Sequence, residues 1–188
     1  MSKSVVLTAV GRDRVGIVAD LAEILYGLGC NLLDSSMTLL RNEFAIILMA
    51  SLQEKKNLDQ LIGQIANIEQ KLGLHVTVRE LSEAELEEIP LSGNSYIISV
   101  YGGDKPGIVS SITRKLADLG ANITDVQTKR SCRDAKSAGT NQEDIFLMML
   151  EVFVPSKIST EDLSTQLKLI AERISVDVTI QAMETVDL

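Results

Sequence analysis

Displaced by 91 residues, the chain falls on itself: VLTAVGRDRVGIVADLAEILYGLGCNLLD, from Val6, lies on IISVYGGDKPGIVSSITRKLADLGANITD, from Ile97. Ten positions coincide, among them Gly11/Gly102, Asp13/Asp104, Gly16/Gly107, Gly29/Gly120 and Asn31/Asn122, and apolar character agrees at most of the others. Agreement of this length marks a structural duplication, so the 188 residues are read as two units of one design.

Each copy opens with a short β-branched run, Val5 to Val10 and Tyr96 to Tyr101, that ends in glycine. A helix follows, because Ile17, Val18, Leu21, Ile24, Leu25 and Leu28 share one helical face, as do Ile108, Val109, Ile112, Leu116 and Leu119. Gly29 and Gly120 then stand where a helix ends in the left-handed conformation. Two more strands follow in the first copy, Leu32 to about Leu40 and Phe44 to Leu52, with a tight hairpin at Arg41-Asn42-Glu43. Asn57 and Ser159 are good N-caps for a second helix, and alternating strands at Leu74–Val78 and Val176–Ile180 close the copies.

The order βαββαβ, twice, predicts an α+β fold: two ferredoxin-like units, each an antiparallel four-stranded sheet with both helices on one face. The expected boundaries are 1–82 for the first unit, 83–93 for an acidic linker, and 94–188 for the second unit. In the linker Glu83, Glu85, Glu87 and Glu88 can form one exposed helical turn before Pro90 and Gly93. The second unit carries a long polar loop at about 131–143, read as a hairpin loop, with a lid or partner contact as the alternative. Open strand edges are liabilities, so the copies are expected to pair and a homodimer is among the assemblies allowed.

A formal charge of −8 and a pI near 4.7 remove the basic field that direct nucleic-acid binding requires. No apolar stretch approaches the roughly 18 residues that span a bilayer, and Met1-Ser2-Lys3-Ser4 leads straight into a strand, so a cytoplasmic protein without membrane association is expected. Cys30 and Cys132 sit at non-equivalent places and read as thiols outside any disulfide. The single histidine, His75, reads as an ordinary strand residue, and no nucleophile with its base, phosphate loop or metal-ligand cluster is recognisable. No enzymatic activity, cofactor or metal is therefore expected.

The informative segment is the turn into the first helix, GRDRVGIV at Gly11 and GGDKPGIV at Gly102. Gly11 and Gly102 are read as letting the chain turn sharply, and Asp13 and Asp104 as helix caps. Gly16 and Gly107, ahead of Ile17 and Ile108, are placed in the first helical turn, where the lack of a side chain leaves backbone N–H groups open to an anion such as an amino-acid carboxylate. Asn31 and Asn122, at the start of the next strand, offer a donor and an acceptor to the same head group. These ten residues are the candidate ligand site; they can equally do no more than turn the chain.

In this order they resemble the ACT domain, a regulatory module that binds amino acids. Val15 stands where Pro106 stands in the second copy and where the family usually has proline. More narrowly, Cys30-Asn31, Asp34-Ser35 and Glu43-Phe44 resemble the glycine cleavage system transcriptional repressor family, tandem ACT proteins of about this length. The resemblance implies allosteric transcriptional regulation without direct DNA contact: glycine or a similar small amino acid would bind and alter association with a protein partner such as a transcription activator. A detached regulatory subunit of an amino-acid metabolic enzyme is the alternative.

Overall fold

The computed structural model describes residues 3–52, 58–86, 92–131 and 144–183. The chain divides into two compact units, 1–89 and 90–188. The first contains β1 (Lys3–Arg12), α1 (Ile17–Gly27), β2 (Cys30–Leu40), β3 (Glu43–Leu52), α2 (Leu58–Leu72), β4 (Leu74–Leu81) and the single turn α3 (Glu83–Leu86). The second contains β5 (Gly93–Gly103), α4 (Ile108–Asp118), β6 (Asn122–Ser131), β7 (Ile145–Pro155), α5 (Thr160–Ile174) and β8 (Val176–Ala182). Both sheets are antiparallel, in the orders β2-β3-β1-β4 and β6-β7-β5-β8, which is the ferredoxin-like arrangement used twice.

Alternation decides which side of each sheet the helices cover. Val5, Leu7 and Ala9 of β1 and Phe44, Ile46, Leu48, Ala50 and Leu52 of β3 are buried on one face, against Ile17, Leu21 and Leu25 of α1 and Leu61, Ile68 and Leu72 of α2. Burial of each of the larger of these side chains, Ala9 and Ala50 apart, contributes about 1.5–3 kcal/mol. A separate core in the second unit joins Tyr96, Ile98 and Val100 to Ile112, Leu116, Leu163 and Leu167. β1 runs two residues past the apolar run at each end because its ladder with β3 continues from Lys3↔Leu52 to Arg12↔Glu43.

The termini follow capping rules. Gly29 and Gly120 close α1 and α4 at φ 77° and 73°. Gly73 does the same for α2 at φ 67°, whereas Ser175 takes that conformation after α5 at φ 56°. Ser159 caps α5 by accepting the Asp162 N–H at 3.0 Å. The hairpin between β2 and β3 is a two-residue turn with Arg41 at φ 59°. Asn57, Cys132, Glu87, Glu88, Pro90 and positions 132–143 of the long loop lie outside the described residues.

β2 is an edge strand, and from Asn31 to Leu40 every residue is exposed. Leu32, Met37 and Leu39 lie on the helix side of the sheet, paired with Ala50, Ile46 and Phe44, yet remain about half exposed. The edge strands β2 and β6 carry a bulge at the same place, between Leu32 and Asp34 and between Ile123 and Asp125.

Candidate functional site

The two glycines of each turn do different work. A Cβ on Gly11 would lie 2.8 Å from the Gly73 carbonyl oxygen, and one on Gly102 would lie 2.9 Å from Cγ1 of Val176. These glycines admit the start of β4 and β8 beside the central strand; they are not the turn, as the sequence suggested. The turn is made at Gly16 and Gly107, which adopt φ 86° and 96° as the N-cap residues of α1 and α4. A Cβ there would meet nothing within 4 Å, so backbone conformation alone selects glycine.

This corrects the expected cap as well. Gly16 and Gly107 precede the first helical turn, and neither Asp13 nor Asp104 caps its helix, since no side chain caps α1 or α4. A glycine N-cap has no side chain with which to accept from the first-turn N–H groups; in the first unit the Ile17 N–H donates instead to the Arg14 carbonyl at 3.4 Å. The side chains of Ile17 and Ile108 are 3% and 2% exposed and belong to the two cores. These side chains anchor the helices, so any contact of Ile17 or Ile108 with a ligand is made through the backbone.

The aspartates are positioned alike and partnered differently. Each backbone N–H donates to the hairpin opposite, Asp13 to the Asn42 carbonyl at 2.8 Å and Asp104 to the Asp144 carbonyl at 2.7 Å. In the second unit Arg130 on β6 closes on Asp104, Nε to Oδ2 at 2.9 Å, and on Asp144, Nη2 to Oδ2 at 2.6 Å. At the equivalent place the first unit has Leu39, and among the described residues the exposed Asp13 carboxylate has no partner. Arg14 instead folds over the turn, pairing with Asp20 at 2.6 Å. Arg130 and Arg14 were not singled out in the sequence; the signal was available, since the 91-residue offset sets Arg130 against Leu39.

Asn31 and Asn122 are exposed, as a ligand residue must be, but lie at the far end of their own sheets from the turn. Asn31 pairs with Ser51, which pairs with Ser4; Gly11 pairs with Phe44, which pairs with Leu39. Ser4 and Gly11 are seven residues apart along β1, about 23 Å at roughly 3.3 Å per residue. The second unit repeats the separation, with Asn122 beside Phe153 and Ser95, and Gly102 beside Phe146 and Arg130. Within one unit the turn and the asparagine cannot hold the same small molecule.

His75 is exposed on β4 with Nδ1 3.0 Å from Oε1 of Glu69, and Cys30 is buried in the first core. Among the described residues no group of three or more potential metal ligands occurs, and no helix is long and apolar enough to cross a membrane.

The sequence profile described as the ACT domain matches residues 3–79 and 95–131. A UPF0237 protein of Methanococcus maripaludis is 36% identical over 87 residues, 45% of this chain and 83% of that protein. One from Methanocaldococcus jannaschii is 33% identical over 76 residues, 40% of this chain and 84% of its own length. Each of these matches is about one unit long. Both units together match the crystal structure of an unknown protein from Galdieria sulphuraria, with TM-score 0.79 and 28% identity over 98% of this chain and 100% of that one. The fold is also that of a candidate glycine cleavage system transcriptional repressor, at TM-score 0.70 and 17% identity, covering 98% of this chain and 99% of that one.

Proposed function

Because the chain belongs to the ACT-domain family, we propose that it is a non-catalytic sensor of a small amino acid, glycine or one of similar size, and that it regulates transcription through a protein partner. The observation that carries this is the first unit's turn. There a helix N-terminus without a side-chain cap and an exposed Asp13 carboxylate, without a partner among the described residues, belong to one short segment beside the Arg14–Asp20 ion pair. An α-amino acid presents the complementary pair: its carboxylate accepts from the first-turn N–H groups, and its ammonium donates to Asp13. In the second unit Arg130 occupies Asp104, so the second turn lacks the free acceptor, and the first turn is the working site.

A bound amino acid is a few ångströms across, far less than the separation of turn and asparagine within a unit, so within one unit the head group is held at the turn or beside the asparagine and not at both. The acidic charge fits a protein that acts through another protein rather than on DNA itself.

The test is calorimetric titration of the intact chain with glycine, serine and alanine, repeated on Asn31→Ala and Asn122→Ala. Loss of the asparagine hydrogen bond should weaken binding by roughly 1.5–3 kcal/mol in the variant whose asparagine serves the site. No heat with any amino acid sinks the sensing role. Affinity capture with and without the bound amino acid then identifies the partner, and recovery of a metabolic enzyme would make the protein that enzyme's regulatory subunit instead.

A further inference from the structure

A cavity of about 470 Å³ lies between α4 and α5 of the second unit, lined by Ser110, Ser111, Arg114, Lys115, Asp118, Ile170 and Arg173. In a chain of net charge −8 this lining is basic: Arg114, Lys115 and Arg173 against Asp118 leave a local excess of two positive charges. Among the described residues neither Arg114 nor Arg173 makes an ion pair, although Asp118 sits one helical turn from Arg114. Lys115 is held by the side-chain oxygen of Gln166 at 3.3 Å, which fixes its ammonium at the junction of the two helices. Ser110 donates to the Gly107 carbonyl at 3.1 Å, while the Ser111 hydroxyl lines the cavity beside Lys115.

The first unit is an internal control. The 91-residue offset puts Ala19, Asp20, Glu23, Ile24 and Gly27 where α4 has Ser110, Ser111, Arg114, Lys115 and Asp118. Along the second helix, Ile68 and Lys71 stand where α5 has Ile170 and Arg173. With Asp20 paired to Arg14, Glu23 against Lys71 leaves that surface without a basic excess. The same fold thus lacks the positive charge at the same place, so the basic cavity is a property of the second unit's side chains and not of the architecture.

We propose that this cavity is a second ligand site and that its ligand is a small molecule carrying a phosphate group. A phosphate monoester has about −1.5 to −2 charge at neutral pH, which matches the local excess, whereas a lone carboxylate leaves it half neutralised. Two guanidinium groups on facing helices clamp the tetrahedral anion with paired N–H donors, and Lys115 and the Ser111 hydroxyl supply the remaining ones. The volume falls within the roughly 300–1,000 Å³ of small-molecule pockets, and the chain's overall negative charge opposes a polyanion. Placed on the helix layer, the site is independent of the amino-acid site at the first turn.

The experiment is calorimetric titration of the intact chain with inorganic phosphate and with AMP, alongside a single-stranded oligonucleotide. Saturable binding of AMP that phosphate displaces assigns the site to a phosphate ester; binding of phosphate with no tighter binding of AMP assigns it to the free anion. Arg114→Gln and Arg173→Gln should each weaken binding by roughly tenfold, the double variant should abolish it, and Lys71→Gln in the first unit should leave it unchanged. All three positions are exposed, so the variants fold, which their unchanged melting verifies. The proposal is overturned by absence of saturation in the millimolar range, by binding that survives the double substitution, or by a preference for the oligonucleotide over both small anions.

Discussion

Gly11, near the end of β1, and Gly16, the N-cap of α1, lie five residues apart and must be glycine for opposite reasons, which makes paired substitution a sharp test of how this segment is built. At Gly11 the obstacle is space: an alanine Cβ would lie 2.8 Å from the Gly73 carbonyl oxygen, 2.9 Å from Cδ2 and 3.2 Å from Cα of Leu74. Two of these atoms are backbone, so β4 must move, and such overpacking costs about 1–3 kcal/mol. At Gly16 space is free and the obstacle is φ 86°, so alanine costs the left-handed penalty of about 1–2 kcal/mol. In a unit of this size each kcal/mol lowers the melting temperature by roughly 4–8 °C, so the two alanine variants look alike. Asparagine separates them. It visits the left-handed region readily, so Gly16→Asn should recover much of the loss in thermal or urea unfolding, while Gly11→Asn, being larger, should unfold more easily than Gly11→Ala. Gly16→Asn no better than Gly16→Ala, or Gly11→Asn no worse than Gly11→Ala, would refute this assignment.

Ser175→Gly, which gives α5 the cap that Gly73 gives α2, should stabilise the second unit by about 1 kcal/mol in urea unfolding. Leu116→Ala, removing a side chain with no exposed surface from the second core, should cost about 2–5 kcal/mol, and because the first core shares no residue with it, unfolding should separate into two steps. The Glu85 carboxyl is lowered from 4.5 to about 2, first by the Ser82 backbone N–H at 3.0 Å, then by the Ser82 hydroxyl at 2.8 Å and by Arg79 at 2.6 Å. A folded value below the unfolded one means that this contribution to stability is complete above about pH 4.5 and disappears as pH falls through about 2. Carboxyl NMR should place the titration there, and Ser82→Ala should raise it.

The element order, the covered face and most helix ends were legible because they rest on patterns local to the chain: the spacing of Ile17, Leu21 and Leu25, the alternation of Leu74, Val76 and Val78, and the capping residues Gly29, Gly120 and Ser159. What the site does with those elements depends on strand register, which no local pattern carries. Gly11 looked like a turn residue because its collision partners, Gly73 and Leu74, are more than sixty positions away. Ile17 and Ile108 sit inside the shared motif yet their side chains serve the core, since a motif does not distinguish what a side chain does from what its backbone offers. The separation of Asn31 from the turn follows from antiparallel pairing of β2 with β3 and of β3 with β1, and only the paired register makes the distance visible. The duplication offered one signal that could have been read earlier: divergence between aligned positions, as at Leu39 against Arg130, marks where two copies of one fold have taken different work.

The asymmetry between the two turns bears most directly on amino-acid sensing, and one calorimetric series tests it. Glycine is titrated into the unsubstituted chain, Asp13→Asn and Asp104→Asn. The free Asp13 and the Arg130-bound Asp104 predict saturable binding by the first, binding weakened by roughly tenfold or more in the second, and unchanged affinity in the third. Equal binding by all three chains, or loss confined to Asp104→Asn, would contradict it.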